Sequence, residues 1–328
     1  MTDTALILGA NGRFGRHAAA AFVAAGWNVR ALSRRGDADI PGAAPVAGDA
    51  RDPAQLIAAA QGAAVIVNGL NAPYPDWARE LPLQTAAVIA AARATGATHV
   101  FPANVYPYGA GMPERLTEAT PFRPTGAKGR LRMAQEAAFR DAAELHGVRT
   151  LLLRAGDFLD TGPGANWFEA QVSAPVAKGR VRYPGPLDRP HAWAFLPDMA
   201  RACADLAARR ETLPDWAPLG FPGLALTGAE LIAAMSRAAE RDLRPTGFPW
   251  LGLRLAAPFW KLGREVLEMR YLWEVPHRID GAAFDAALPG FRMTPADEAI
   301  AAALAFRLER KSPGSAPPPD VRRRGRAA

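Results

Sequence analysis

Leu6-Ile7-Leu8-Gly9-Ala10-Asn11-Gly12-Arg13-Phe14-Gly15-Arg16 is the stretch that decides how the rest of the chain is read. An apolar run ends in a glycine, further glycines stand at the fourth and seventh places, and an alanine-rich segment continues to Gly26. That is the order of a buried strand, a tight turn and a helix lying close against the strand. Gly9 permits the sharp exit, Gly12 lets backbone N–H groups approach a pyrophosphate with no Cβ in the way, and Gly15 lets helix and sheet approach. A glycine trio alone is weak evidence. Here Thr4 to Leu8 supplies the strand before it, and Phe14, Ala18, Ala21, Phe22 and Ala25 supply one apolar helix face after it. Gly9, Asn11, Gly12, Arg13, Phe14 and Gly15 are therefore candidate dinucleotide contacts.

A second strand, Asn28 to Ser33, ends in Arg34-Arg35. An acidic residue at that place would accept the ribose 2′-hydroxyl of NAD, whereas a guanidinium grips a phosphate bidentately. Arg34 and Arg35 thus favour NADP over NAD; the alternative is a solvated turn. Ala44 to Asp49 reads as a third strand, with Asp49 and Ala50 beside the adenine or Asp49 serving the start of a helix from Pro53 to Gln61. Ala63 to Asn71 is a fourth, apolar strand whose exit loop should flank the cofactor. A helix from Leu83 to Thr95, closed by Gly96, leads to a fifth strand, His99 to Phe101. This rhythm predicts an α/β fold, a doubly wound parallel Rossmann sheet with helices on both faces.

Phe101-Pro102-Ala103-Asn104-Val105-Tyr106-Pro107-Tyr108-Gly109 leaves the fifth strand at the carboxyl edge, where ligands of open α/β sheets bind. Asn104, Tyr106 and Tyr108 are candidate catalytic residues, with alternation sending only one tyrosine inward. Lys128 falls in the first turn of a long helix ending near His146, a poor place for a cation by the helix dipole. Either it has a functional task, including cofactor contact and lowering a tyrosine pKa, or it pairs with a nearby carboxylate. Asn104 could orient a substrate carbonyl through its amide.

A sixth strand, Arg149 to Leu153, precedes a change of rhythm to short Gly/Pro-rich pieces with tryptophans. Residues 1–160 read as the dinucleotide domain, with 190–210 returning to it. Residues 161–311 read as a smaller, mostly helical substrate side, with helices near Gly228–Arg241, Trp260–Tyr271 and Pro295–Leu308. Asp157, Trp167, His191 and Trp193 are candidate substrate residues. Glu268 to His277 either lines the pocket or packs the core. Phe248 to Trp260, broken by Arg254 and two prolines, reads as a buried helix or lid, with membrane-surface contact as the other reading.

Of 328 residues, 49% are hydrophobic and 22% charged, which suits a folded soluble protein. The net charge of +7 is weak evidence for nucleic acid, because the tail holds Arg322, Arg323, Arg324 and Arg326 against Asp320. Residues 312–328 lack apolar side chains to bury and should be disordered. A lone Cys203 excludes an internal disulfide and fits a reducing cytoplasm. No leader or membrane-spanning run is expected. Histidines 17, 99, 146, 191 and 277 lack metal-ligand spacing, and no nucleophile elbow or P-loop is present.

With these residues in hand, residues 4 to 206 resemble the extended short-chain dehydrogenase/reductase superfamily, in its NAD-dependent epimerase/dehydratase branch. The matching features, in order, are the Gly9-x-x-Gly12-x-x-Gly15 turn, Asp49, the Val105-Tyr106-x-Tyr108-Gly109 strand exit, Lys128, Arg154 with Gly162-Pro163-Gly164, and Leu196-Pro197-Asp198. The resemblance implies a nicotinamide dinucleotide in the first domain and a small-molecule substrate, often a nucleotide-sugar, under the second. It also implies a tyrosine four residues before the lysine as acid/base and a serine or threonine at the fifth strand's end. Pro124 and Asn104 stand at those places. The expected protein is an NAD(P)-dependent oxidoreductase or epimerase-like enzyme that forms a homodimer, with acid/base groups drawn from Tyr106, Tyr108 and Lys128. The other reading is a dinucleotide-sensing or scaffold protein without turnover.

Overall fold

Seven parallel strands form the central sheet of the computed structural model, which describes residues 2–308. They are β1 (Thr4–Leu8), β2 (Asn28–Ser33), β3 (Ala43–Ala47), β4 (Val65–Asn68), β5 (Thr98–Ala103), β7 (Thr150–Arg154) and β11 (Trp216–Gly220), in the order β11-β7-β5-β4-β1-β2-β3. Strand β6 (Arg115–Leu116) lies outside this sheet and pairs with β14 (Arg278–Ile279). Alternation along β1 shows why the sheet is covered twice. Ala5 and Ile7 enter the core shared with α1 (Arg13–Ala24) and α5 (Leu196–Ala208), while Leu6 and Leu8 enter the core shared with α2 (Pro53–Ala60), α3 (Trp77–Thr95) and α4 (Ala127–His146). The doubly wound parallel sheet is thus the one the residue pattern predicts.

Three details depart from expectation. The edge strand β11 was not anticipated, since Pro218 and Gly220 obscure its pattern, yet it pairs in register with β7. Of the segment expected to return to the first domain, α5 packs on α1, and Ala194 of the preceding strand joins the same core. That strand, β10 (Pro190–Phe195), forms a second sheet between β8 (Asp157–Leu159) and β12 (Leu224–Thr227). Helix α2 is capped by Asp52, which accepts from the amides of Ala54 and Gln55, so Asp49 does not have that task.

A third core gathers the C-terminal part around Phe168, Tyr183, Trp193, Met235 and Trp273. It includes α6 (Gly228–Ala238), α9 (Tyr271–Glu274) and α11 (Ala296–Leu308), with β9 (Arg180–Tyr183) paired to β13 (Arg244–Gly247). Between these lie α7 (Trp250–Ala256) and α8 (Lys261–Glu268), joined by a short turn; α10 (Ala282–Ala287) packs near β11. The Phe248 to Trp260 segment is largely exposed, which corrects the buried reading. The basic tail expected at 312–328 lies outside the described residues. No helix among the described residues is long and apolar enough to cross a membrane.

Candidate functional site

The glycine turn joins β1 to α1 with no spare room. Gly9 has φ +66°, open to glycine at little cost, and its carbonyl accepts the Gly12 amide at 2.7 Å. A Cβ on Gly15 would stand 2.3 Å from the Gly9 oxygen, so any side chain there would push α1 off the sheet. Gly12 caps α1 without a side-chain acceptor, and no acidic residue occupies the first turn. The unpaired first-turn amides and the positive end of the helix dipole therefore face outward, the arrangement that takes a phosphate. Phe14 is buried in the sheet core, while Arg13 reaches across to Glu169 at 3.1 Å.

The loop after β8 closes over this helix start. A Cβ on Gly164 would lie 2.5 Å from the Arg13 guanidinium, and Glu169 also accepts the Asp160 amide. Asp160 pairs with His17 at 2.7 Å. Burial pushes the Glu169 carboxyl up to about 7 despite Arg13 beside it. Asp160 Oδ2 and Asn166 Nδ2 are buried without a partner among the described residues, leaving polar capacity beside Arg13. The first-turn amides and the Arg13 guanidinium at the start of α1 fit an anionic dinucleotide, with the Glu169 and Asp160 carboxylates beside that guanidinium.

At the end of β2, Arg34 is exposed and has no hydrogen-bond or ion-pair partner among the described residues, though its charge acts on Asp49. Arg35 is engaged by Asp37 at 2.6 Å. Asp37, overlooked in the sequence, accepts from Asn11 at 2.8 Å and Ser33 at 2.9 Å, and these bonds with Arg35 hold its carboxyl down at about 2. Its signal was available: a carboxylate four residues past the strand end, beside the glycine turn. Asp49 is gripped by Arg51, whose Nη2 lies 2.6 Å away, and Ala50 is buried next to it.

The candidate chemistry lies where β4, β5 and α4 end or begin. Tyr106 and Tyr108 share one short helical turn, and their side chains part. The Tyr108 hydroxyl donates to the Thr117 carbonyl at 3.3 Å, and its ring lies against the Arg154 guanidinium, in a cleft with Glu136 and Trp216. The Tyr106 hydroxyl meets the hydroxyl of Tyr74 at 2.8 Å. Tyr74 sits in the exit loop of β4, and the Lys128 ammonium lies 5.1 Å from the centre of its ring. Burial raises all three phenols above their ordinary value, Tyr74 to about 12. This corrects the expectation that Lys128 lowers Tyr106 or Tyr108; desolvation outweighs any nearby cation.

Lys128 is nearly fully buried, and its ammonium is paired with Glu265 and, at 3.0 Å, with Glu268. Glu268 also accepts the Lys128 amide at 2.8 Å, so helix α8 supplies the cap that α4 lacks. Both carboxylates lie some 140 residues downstream, and no local pattern announces them. Asn104 spends its side-chain oxygen on the Tyr106 amide at 3.1 Å, shaping the strand exit. Arg154 clasps Glu136 through two bonds of 2.6 and 3.0 Å and donates to the Asn104 carbonyl, which anchors that exit from below.

Burial raises the phenols of Tyr183 and Tyr271 as it does those of Tyr74 and Tyr106, and the charge of Asp157 adds to the rise in all four. Asp157 accepts from His191 Nε2 at 2.9 Å, while His191 Nδ1 faces the Leu272 carbonyl at 3.2 Å. His191 stacks on Trp273 at 4.4 Å, and Trp193 and Trp167 pack on the same indole. Asp157, Trp167, His191 and Trp193 are therefore brought together, with Trp193 fully buried as packing. Of the Glu268 to His277 segment, Leu272 and Trp273 are core, and the Tyr271 hydroxyl donates to the Tyr106 carbonyl at 3.4 Å. Among the described residues, no cluster of histidine, cysteine and carboxylates could hold a metal ion.

No protein of curated function matches the chain. Among solved structures, a GalE-like L-threonine dehydrogenase from Cupriavidus necator in its holo form aligns with TM-score 0.74 at 18% identity over 93% of this chain and 99% of its own. UDP-glucose 4-epimerase from Brucella ovis in complex with NAD aligns with TM-score 0.69 at 18% identity, over 93% and 98%. A UDP-galactose 4-epimerase gives 0.70 at 16%, over 95% and 100%. At such identities the likeness is one of fold. Residues 5–215, more than half of the chain, match the family model itself, and the protein belongs to the NAD dependent epimerase/dehydratase family, as an enzyme of the NAD-binding oxidoreductase kind.

Proposed function

We propose that the protein moves a hydride between a nicotinamide dinucleotide and a small carbonyl or hydroxyl substrate, with the phenol pair of Tyr74 and Tyr106 in place of the absent tyrosine at 124. The observation that carries this reading is the 2.8 Å hydroxyl contact between the two phenols beside Lys128, at the carboxyl edge of β4 and β5. The bound nicotinamide would supply the hydride acceptor or donor. Amides of Gly12 to Gly15 with Arg13 would hold its pyrophosphate, and Asn104 would keep the strand exit in shape. Ala50, Asp49 and Asn11 would flank the adenosine.

With both hydroxyls protonated at neutral pH, the pair is a proton donor to a developing alkoxide, and Tyr106 can replenish Tyr74 through their shared bond. Lys128 keeps a positive charge beside the phenols once its carboxylate partners withdraw, which lowers the cost of a transient phenolate. Tyr108 has no part in this; its phenol is committed to Arg154 and Thr117. Asp157 and His191, walled by Trp167 and Trp273, would face the substrate, a setting that suits a flat or sugar-like ring carrying hydroxyl groups. Nucleotide-sugars fit this class.

Arg34 supports the choice of NADP, since it is the unpaired cation at the end of β2. Asp37 stands against it less strongly, because Ser33, Asn11 and Arg35 already occupy its oxygens. Titrating the purified chain with NADPH and NADH, then following nicotinamide absorbance against carbonyl compounds and nucleotide-sugars, tests the reading. Tight cofactor binding with no absorbance change across the panel would favour a sensor instead.

A further inference from the structure

Five of the large apolar side chains that the fold leaves exposed lie within twelve residues of one another: Leu251, Leu255, Phe259, Trp260 and Leu262. Leu251 is 72% exposed, Leu255 70% and Phe259 94%, so these are not core residues caught at an edge. The opposite side of the same hairpin is fastened down. Trp250 donates to the Pro184 carbonyl at 2.7 Å and packs on Phe248, and Ala257 and Gly263 are buried. Arg264 donates to the carbonyls of Ala257 and Pro258, which holds the turn between α7 and α8 in place. The outward face is therefore a fixed apolar ridge.

Charge says what the ridge meets. Between Asp242 and Glu265 the chain has no acidic residue but carries Arg244, Arg254, Lys261 and Arg264. Arg254 and Lys261 flank the ridge, are exposed, and have no partner among the described residues. An apolar ridge with an exposed Phe and Trp, flanked along the chain by Arg254 and Lys261 while Glu265 and Glu268 are turned to Lys128, matches the boundary between anionic headgroups and acyl chains. Neither helix is long enough to span a bilayer, so the contact is peripheral. We propose that the α7–α8 hairpin docks the enzyme on an anionic lipid surface. The carboxylates that cover Lys128 sit at the far end of α8, so the docked element is also the one that closes the candidate site.

The test uses the full chain and sedimentation with vesicles, either phosphatidylcholine alone or phosphatidylcholine with about a third phosphatidylserine. Binding to the mixed vesicles alone, weakened by salt, is expected. Leu255→Glu with Phe259→Glu should abolish it. Arg254→Gln with Lys261→Gln should weaken it about thirtyfold, and all four positions are exposed, so folding should persist, as circular dichroism would check. Three results would overturn the proposal. One is no binding to anionic vesicles. Another is undiminished binding by the Leu255/Phe259 variant, which would put the attraction in the arginines at 322–326. The third is a dimer in solution that this variant dissolves without any vesicle binding, which would make the ridge an interface between copies.

Discussion

Tyr74 and Tyr106 meet hydroxyl to hydroxyl at 2.8 Å across 32 residues of chain, on a ring that also faces the Lys128 ammonium. The family's usual tyrosine would stand four residues before that lysine, where Pro124 offers no proton. The chain has thus brought phenols to the lysine from the exits of β4 and β5.

Lys128 is expected to be released by weakening the closure of α8. Glu265→Gln with Glu268→Gln leaves the ammonium without its two carboxylates, so the closed form loses its main polar tie. Cofactor should bind roughly tenfold tighter if closure competes with it, while thermal stability falls because a buried cation loses its partners. Fluorescence titration with NADPH and a melting curve read both; unchanged affinity would mean that closure and binding are independent.

Cofactor choice is expected to follow Arg34. Arg34→Ala should lower NADPH affinity by about ten- to a hundredfold, the worth of one charge-assisted bond, and leave NADH affinity nearly unchanged. Asp37→Asn should move the two affinities far less. Equal NADPH and NADH affinities in the unmodified protein would contradict the reading of this turn.

How far the sequence could lead is clear from these residues. The glycine turn was legible because its spacing, its strand and its helix are contiguous, and only glycine survives at Gly15. The unbroken apolar run of β4 likewise announced a sheet covered on both faces. Tyr74 was hidden in an aperiodic loop, although the rule that β4's exit flanks the site pointed there. Glu265 and Glu268 were beyond reach, since they approach Lys128 only through the tertiary path of α8. The buried state of Tyr106, which reverses the expected direction of its pKa, is a property of packing that spacing does not encode.

Arg154 and Glu136 form a nearly fully buried, bidentate pair beneath the exit of β5. Removing one partner leaves an uncompensated charge, and Glu136→Ala should cost about 3–5 kcal/mol. Chemical denaturation should show a lower midpoint with an unchanged slope. A loss under about 1 kcal/mol would mean that solvent reaches the pair.

Glu169 gives the fold a pH dependence with a definite sign. Its carboxyl ordinarily titrates at 4.5 and is raised to about 7 in the folded chain by burial. Below 4.5 both states hold the proton, and the full contribution is present. As pH rises to about 7 the unfolded chain releases its proton first, and stability falls. The loss amounts to about 3 kcal/mol. Glu169→Gln should therefore gain stability relative to the unmodified protein between pH 5 and pH 8, roughly the span of that titration, in melts at several pH values. A constant difference between the two proteins would contradict it.

The central claim is that the Tyr74–Tyr106 pair delivers the proton that accompanies hydride transfer. The most direct measurement is nicotinamide absorbance for the unmodified protein, Tyr74→Phe and Tyr106→Phe, on whichever carbonyl or nucleotide-sugar is turned over, with cofactor affinity measured alongside. The account predicts turnover by the unmodified protein and a fall of about a hundredfold or more in Tyr74→Phe, with a smaller fall in Tyr106→Phe and cofactor affinity unchanged in both. Full activity in Tyr74→Phe would contradict it.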